Sequence, residues 1–363
     1  MKTGISLIDM ATQLEANRKV ARDFVADTRR LELVADERTA PRLLIQDQGS
    51  YALTGTAKRQ LADKLQIPAP FYDRLETKYP EQLASLVNTF FQREPGQHMV
   101  RTLPGTARAF LSNVYRPLDN YDLFAEIFPL LKKAGAIIES SNLTETKMYL
   151  KVRCPWLDRE LPVPEGLKMG VGHNFFVRKV EGSVTISNSD VGHGGISILP
   201  GIFENQCTNY ATFKSAGLTK IHIGKKTVSD DLVIEYLSDK TKQLDDAAFW
   251  SKVKDNVNAI IDGRAMDGIV KQLNAARTDV IEVNPAGVVE VFAKQQRLTD
   301  DESGGLMRHF VESGEMTRYG LQWAVTRLAQ DVKDYDRASE FERLGGQVIE
   351  MPKAEWAQLL EAA

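Results

Sequence analysis

The sequence predicts an α+β protein: an antiparallel sheet with helices on one face, followed by a helical C-terminal domain. Three observations carry that expectation. Between residues 98 and 226 apolar and polar residues alternate in short runs punctuated by Pro and Gly. One amphipathic helix interrupts those runs, with a capping signal at Asp119-Asn120. From residue 228 the apolar period becomes helical and stays so.

The elements follow in order. Residues 5–30 are expected as a helix, with Leu7, Met10, Leu14, Val20 and Phe24 at roughly helical spacing. Residues 31–36 and 41–46 suit short strands. A helix capped by Thr54 or Thr56 must end before Pro68, and two more are expected at 70–76 and 80–92. Strands at 98–104 and 107–114 flank the turn dipeptide Pro104-Gly105. The following helix carries Leu123, Phe124, Ile127, Leu130 and Leu131 on one stripe and ends near Gly135. A hairpin of 136–141 and 146–153 turns around Asn142. Residues 155–174, rich in Pro and Gly, read as a loop; 175–188, 195–199 and 219–223 as strands; 205–214 as a helix. A long helix reaches about residue 262, and others are expected at 264–276, 285–295, 299–313, 317–333 and 335–344. The chain of 363 residues thus divides into a mostly helical part, 1–97, packed on a sheet core, 98–226, and an acidic helical domain, 227–363.

Composition narrows the function classes. There is no apolar run of roughly 18 residues, so no membrane helix is expected, and the first residues lack a signal-peptide pattern. Cys154 and Cys207 are the only cysteines, which gives no zinc pair and no disulfide framework and fits a reducing cytoplasm. Charge is segregated. The Lys/Arg and Asp/Glu counts are 14 and 13 in residues 1–97, 16 and 11 in 98–226, and 16 and 25 in 227–363. The middle suits a polyanion, and the tail would be repelled by one.

Catalytic patterns fail on inspection. Gly224-Lys225-Lys226-Thr227 ends like a phosphate loop, but Thr219 stands where that loop needs its first Gly. Gly170-Val171-Gly172 and Gly192-His193-Gly194-Gly195 fit no dinucleotide fingerprint and read as turns. Ser189, Asp190 and His193 have the residue types of a hydrolytic triad but sit on one turn, where base and acid do not line up on a nucleophile. His173, His193, His222 and Cys207 lack ligand spacing. The acidic string Asp331, Asp334, Asp336, Glu340 and Glu342 suits a solvated helix face beside Lys333, Arg337 and Arg343. The pair of helices around Pro68 resembles a helix-turn-helix, but its second helix carries Asp73 and Glu76, a poor face for phosphates. No enzyme activity, metal or cofactor is expected.

A basic set remains on the expected sheet: Arg101, Arg108, Arg116, Lys147, Lys151, Arg153, Arg178 and Lys179, with Tyr115, Tyr149 and Phe176 nearby. Guanidinium and ammonium groups grip phosphates, and aromatic faces stack bases without regard to sequence.

Several pieces of the chain together resemble the phage/plasmid-like family known as domain of unknown function 932. They are Gln60-Leu61-Ala62 with Ile67-Pro68; Phe110-Leu111-Ser112 with Tyr115-Arg116-Pro117-Leu118-Asp119; Asn188-Ser189-Asp190-Val191-Gly192; Cys207-Thr208-Asn209; and Ala329-Gln330-Asp331 through Asp336-Arg337-Ala338 to Glu342, Gly345 and Gly346. Tyr210, after Cys-Thr-Asn, is a small departure from the family pattern. The resemblance implies a mobile-element protein with a partner in nucleic-acid metabolism, and it transfers no catalytic residue. The strand-strand-helix-strand-strand order is similar in outline to Rad52-like annealing domains, at the level of fold alone.

The function expected from these readings is non-enzymatic binding of single-stranded DNA by an oligomeric, cytoplasmic protein of a phage, prophage or plasmid, with strand annealing as one form of it. Arg108, Arg116, Lys147, Lys151 and Arg178 would hold phosphates, and Tyr115 or Phe176 would stack a base. The alternative is a protein-interaction or host-defence antagonist whose acidic helical tail binds a host protein. A third reading places an enzyme site at the Gly-rich turn of residues 188–195.

Overall fold

The computed structural model describes residues 2–36, 39–164, 177–215, 217–220 and 239–363. The architecture is α+β followed by helices, and it rests on two six-stranded sheets.

The N-terminal sheet has the order β1-β5-β6-β4-β3-β2. Its strands are β1 (Arg22–Asp27), β2 (Leu31–Asp36), β3 (Thr39–Ile45), β4 (Gly49–Leu53), β5 (Gln97–Leu103) and β6 (Thr106–Ser112). Neighbours run antiparallel except β4 and β6, which pair in parallel at Ala52 and Leu53. Three helices cover one face: α2 (Gly55–Lys64), α3 (Ala69–Lys78) and α4 (Pro80–Arg93). The core between them is built from Leu33, Leu43, Leu61, Val87, Phe91 and Phe110. Thr54 caps α2 by accepting from the amide of Ala57 at 3.2 Å, and Pro68 closes the turn before α3. Arg59 pairs with Asp73, and Lys58 with Glu76, so α2 and α3 neutralise each other as packed helices.

The expected helix over 5–30 stops early. Helix α1 covers only Leu7–Val20, and residues 22–27 become β1 because they complete the backbone bonding of β5. Long-range pairing overrides a local apolar period there. Among the described residues the first 97 thus hold four α-helices and four strands, with more residues in helix than in strand, and the division expected between residues 97 and 98 falls inside β5.

The central sheet is antiparallel throughout, in the order β11-β10-β9-β8-β7, with β12 also on β10. Its strands are β7 (Ile137–Leu143), β8 (Met148–Leu161), β9 (Arg178–Asn188), β10 (Ile196–Glu204), β11 (Asn209–Thr212) and β12 (Leu218–Lys220). The helix expected over 205–214 is instead a reverse turn and β11, with Thr208 at φ 54°. Strand β8 runs through part of the expected loop, with an irregularity between Cys154 and Asp158. Helix α5 (Asn120–Ala134) connects the two sheets and ends at Gly135 in the left-handed conformation, φ 73°.

The strand-strand-helix-strand-strand unit does not form one sheet. Its first hairpin, β5-β6, belongs to the N-terminal sheet and its second, β7-β8, to the central one. The fold-level ground for likeness to an annealing domain is thereby removed.

Both faces of the central sheet are covered. Met148, Leu150 and Val152 of β8 pack with Met10 of α1, Leu123 of α5 and Val253 of α6 (Asp239–Ile261). The opposite face meets α7 (Met266–Thr278), α10 (Arg318–Leu328) and α11 (Tyr335–Glu350). Helices α8 (Pro285–Gln295), α9 (Asp300–Ser313) and α12 (Lys353–Glu361) complete the C-terminal part, around Phe292, Leu306, Phe310, Leu321, Phe341 and Trp356. A capping box of Thr299 and Glu302 starts α9. Residues 224–227, with the boundary expected at 226, lie outside the described residues. Among the described residues no helix is long and apolar enough to cross a membrane.

Candidate functional site

The six residues expected to bind nucleic acid do not converge on one open face. Lys151 is fully buried and pairs with Glu342 of α11 at 2.6 Å, its ammonium 4.4 Å from the ring centre of Tyr335. Arg178 is buried between Glu204 and Glu315, at 2.8 and 2.9 Å. Arg116 pairs with Asp246 of α6. Arg108 lies on the other sheet and bonds Asp190 at 3.1 Å. Tyr115 is half-buried, with its hydroxyl 3.4 Å from the Ser189 carbonyl, and burial raises its phenol pKa. These positions correct the expected basic face: the side of β8 that carries Lys151 faces a helix, and tail carboxylates take up the charge. Phe176 lies outside the described residues.

Lys147 is different. It stands in the turn between β7 and β8 and makes no ion pair with a described carboxylate. A cleft of about 400 Å³ opens beside it, between the central sheet and α11. Thr146, Thr185, Ser187, Ser197 and Thr212 give its wall a hydroxyl lining, and Lys214 and Arg343 stand at its edge, both exposed and both without an ion pair to a described carboxylate.

The carboxylates of this cleft are engaged. Asp336 accepts from the hydroxyls of Thr144 and Thr146, at 3.0 and 2.5 Å. Glu340 pairs with Arg337 at 2.8 Å, and Glu342 with Lys151. His193 completes the rim. Burial, and then the charge of Lys147, hold its pKa below the usual histidine value, so its imidazole is neutral at pH 7. Formal charges on the lining cancel, Lys147, Lys214 and Arg343 against Asp336, Glu340 and Glu342, but Arg337 and Lys151 neutralise Glu340 and Glu342, which leaves Asp336 as the carboxylate opposing the three cations.

A second cleft, of about 700 Å³, lies at the junction of the two sheets. Asp119 and Asp190, from two of the sequence pieces singled out above, line it, and other residues of those pieces bond one another near the junction. Gln60 donates to the Val191 carbonyl at 2.7 Å and accepts from the Phe110 amide at 2.8 Å. Asn188 donates to the Leu118 carbonyl at 2.7 Å and to Asn120 at 2.9 Å. Arg101 bonds Asp23, Asp119 and the Asp190 carbonyl at 3.0, 2.6 and 2.6 Å. Burial opposes the charge on Arg101, and Asp119 and Asp23 more than offset it. Gly192 has φ 87°, and an added Cβ would lie 2.6 Å from Leu111, so the loop must approach the N-terminal sheet through a glycine.

The Ser189, Asp190 and His193 side chains form no triad. The Ser189 hydroxyl accepts from the backbone amide of His193 at 2.8 Å, and Asp190 faces Arg108. Among the described residues no group of His, Cys, Asp and Glu is arranged to hold a metal ion; His173 and His222 lie outside them, as does Gly170-Val171-Gly172. Burial pushes both thiols, Cys154 and Cys207, up to about 12, away from nucleophilic use.

Sequence reasoning missed Lys214 and Arg343. Residues 205–214 read as helical, which hid Lys214 at the end of a strand. Arg343 read as one charge of a solvated helix face, and only the docking of α11 brings it beside β11. The chain matches no family model, and no match to it is found among curated proteins or solved structures.

Proposed function

We propose that this chain is a non-enzymatic, single-stranded DNA-binding protein of a phage, prophage or plasmid, and that the strand's phosphates bind at the cleft between the central sheet and α11. One observation carries the reading: Lys147, Lys214 and Arg343 surround a hydroxyl-lined cleft whose own carboxylates are already engaged. Unpaired cations over a polar wall suit a phosphodiester with its sugar, and they carry no sequence code. The family resemblance points the same way, to a mobile element acting on nucleic acid. Homo-oligomerisation in the cytoplasm, and annealing by paired copies, belong to the same proposal. The acidic tail gives less support to capture of a host protein, because Asp246, Glu315 and Glu342 are spent on contacts inside the chain.

The test is titration of a labelled single-stranded oligonucleotide at low salt. Lys147→Ala and Arg343→Ala are each expected to weaken binding about 3- to 10-fold, as loss of a phosphate contact does. Arg116→Ala, which removes an already neutralised cation, is expected to change affinity less than about twofold. Absence of binding by the unaltered chain at low salt removes the proposal.

A further inference from the structure

The two clefts share a divide. Thr144 and Glu145 line the junction cleft, and the next two residues, Thr146 and Lys147, line the cleft under α11. The loop after β9 repeats the arrangement, with Asp190 on one side and His193 on the other. Two adjacent tips, each bonded to α2 through Thr56 or Gln60, thus form a divide, or ridge, with a polar cleft on each flank.

The junction cleft also has spare positive charge. Arg18 and Arg22 line it, are exposed, and make no ion pair with a described carboxylate. The Arg22 guanidinium donates to the carbonyls of Lys19 and Ala21 at the end of α1, and Arg18 lies 4.3 Å over the ring of Tyr121. The carboxylates there are mostly engaged: Asp23 and Asp119 by Arg101, Asp190 by Arg108, and Glu145 by the amide of Thr56 at 2.6 Å. Asp122 is the exception. Burial first, then the neighbouring Asp119, raise its carboxyl pKa.

We infer that one polynucleotide strand crosses the ridge and occupies both clefts. The inference rests on the proposed single-strand binding and gives that site its extent and path. Lys147 holds a phosphate at the crossing, and Arg22 holds one beyond it. Tyr121, already half of a guanidinium stack, offers a face to a base. A small anion such as a free nucleotide would fill one cleft only. A chain of linked nucleotides profits from both, because the second contact is intramolecular.

Affinities for labelled oligonucleotides of about 4 to about 16 nucleotides test this. Affinity is expected to climb with length beyond what one cleft accommodates. Tyr121→Ala and Arg22→Ala are expected to weaken the longest ligand at least about fivefold, and Tyr121→Phe to restore the stacking face. Asp122→Asn, which removes a facing carboxylate, is expected to strengthen the same ligand a few-fold. Melting curves of each variant separate these effects from misfolding. If Lys147→Ala weakens binding while Tyr121→Ala and Arg22→Ala do not, the path across the ridge is wrong and single-cleft binding stands. Sensitivity confined to the Tyr121 and Arg22 variants also overturns the path. If the unaltered chain binds no strand of any length, the underlying reading falls with it.

Discussion

Lys151 and His193 illustrate how single residues divide between structure and function. Lys151 is a buried cation whose partner comes from a distant helix. Removing one member of such a pair strands the other charge, so Lys151→Met is expected to lower unfolding free energy by about 3–5 kcal/mol. The double change Lys151→Met with Glu342→Leu is expected to recover most of that loss, because no buried charge remains. Urea midpoints decide it; a cost below about 1 kcal/mol for the single change contradicts the buried pair. The alternation of β8 told which side Lys151 takes. It could not tell what covers that side, since the covering helix is specified far along the chain. His193 carries a pH prediction. Its pKa is lowered by burial and by Lys147, with Asp336 and Glu145 acting in the opposite sense. The imidazole is therefore neutral at pH 7 and becomes cationic only as pH falls through that lowered value. Strand affinity is expected to rise over that descent, and His193→Gln to remove the rise. The unfolded chain takes up the same proton earlier, so the descent weakens the fold as it strengthens binding.

Elements set by local chemistry were legible in the sequence, and elements set by a distant partner were not. Thr54, Pro68 and Gly135 mark helix ends through caps and backbone restrictions that act within a few residues. Strands β1 and β11 exist because β5 and β10 offer them backbone partners, and neither partner is visible in the local pattern. The joint between sheet and tail depends on one close approach of this kind. At Gly346 on α11 an added Cβ would lie 1.8 Å from the Thr212 carbonyl oxygen, which does not yield as a flexible side chain would. Gly346→Ala is expected to push α11 off β11, to cost about 1–3 kcal/mol, and to weaken strand binding by displacing Arg343. Hydrogen exchange along β11 checks the displacement; unaltered protection there means the helix has kept its seat.

On the scale of the whole molecule, the basic middle and acidic tail meet each other. The charge segregation legible in composition is spent largely inside the chain, through Lys151–Glu342, Arg178–Glu315 and Arg116–Asp246. Counting charges along the sequence identified the segments that meet: the tail lies on the sheet, and the proposed contact with nucleic acid falls to cations without an ion pair to a described carboxylate. The candidate site is therefore smaller than the expected basic face, and it lies at the seam. Lys147 alone of the predicted phosphate contacts belongs to it, joined by Lys214 and Arg343.

The salt dependence of single-strand binding addresses that claim most directly. Each phosphate contact to a single strand contributes about 0.7 to the slope of log affinity against log salt. Replacing Lys147, Lys214 and Arg343 together by Ala is expected to flatten the slope by about 2. An unchanged slope in a triple variant that still folds and binds would place the phosphates elsewhere and contradict the account.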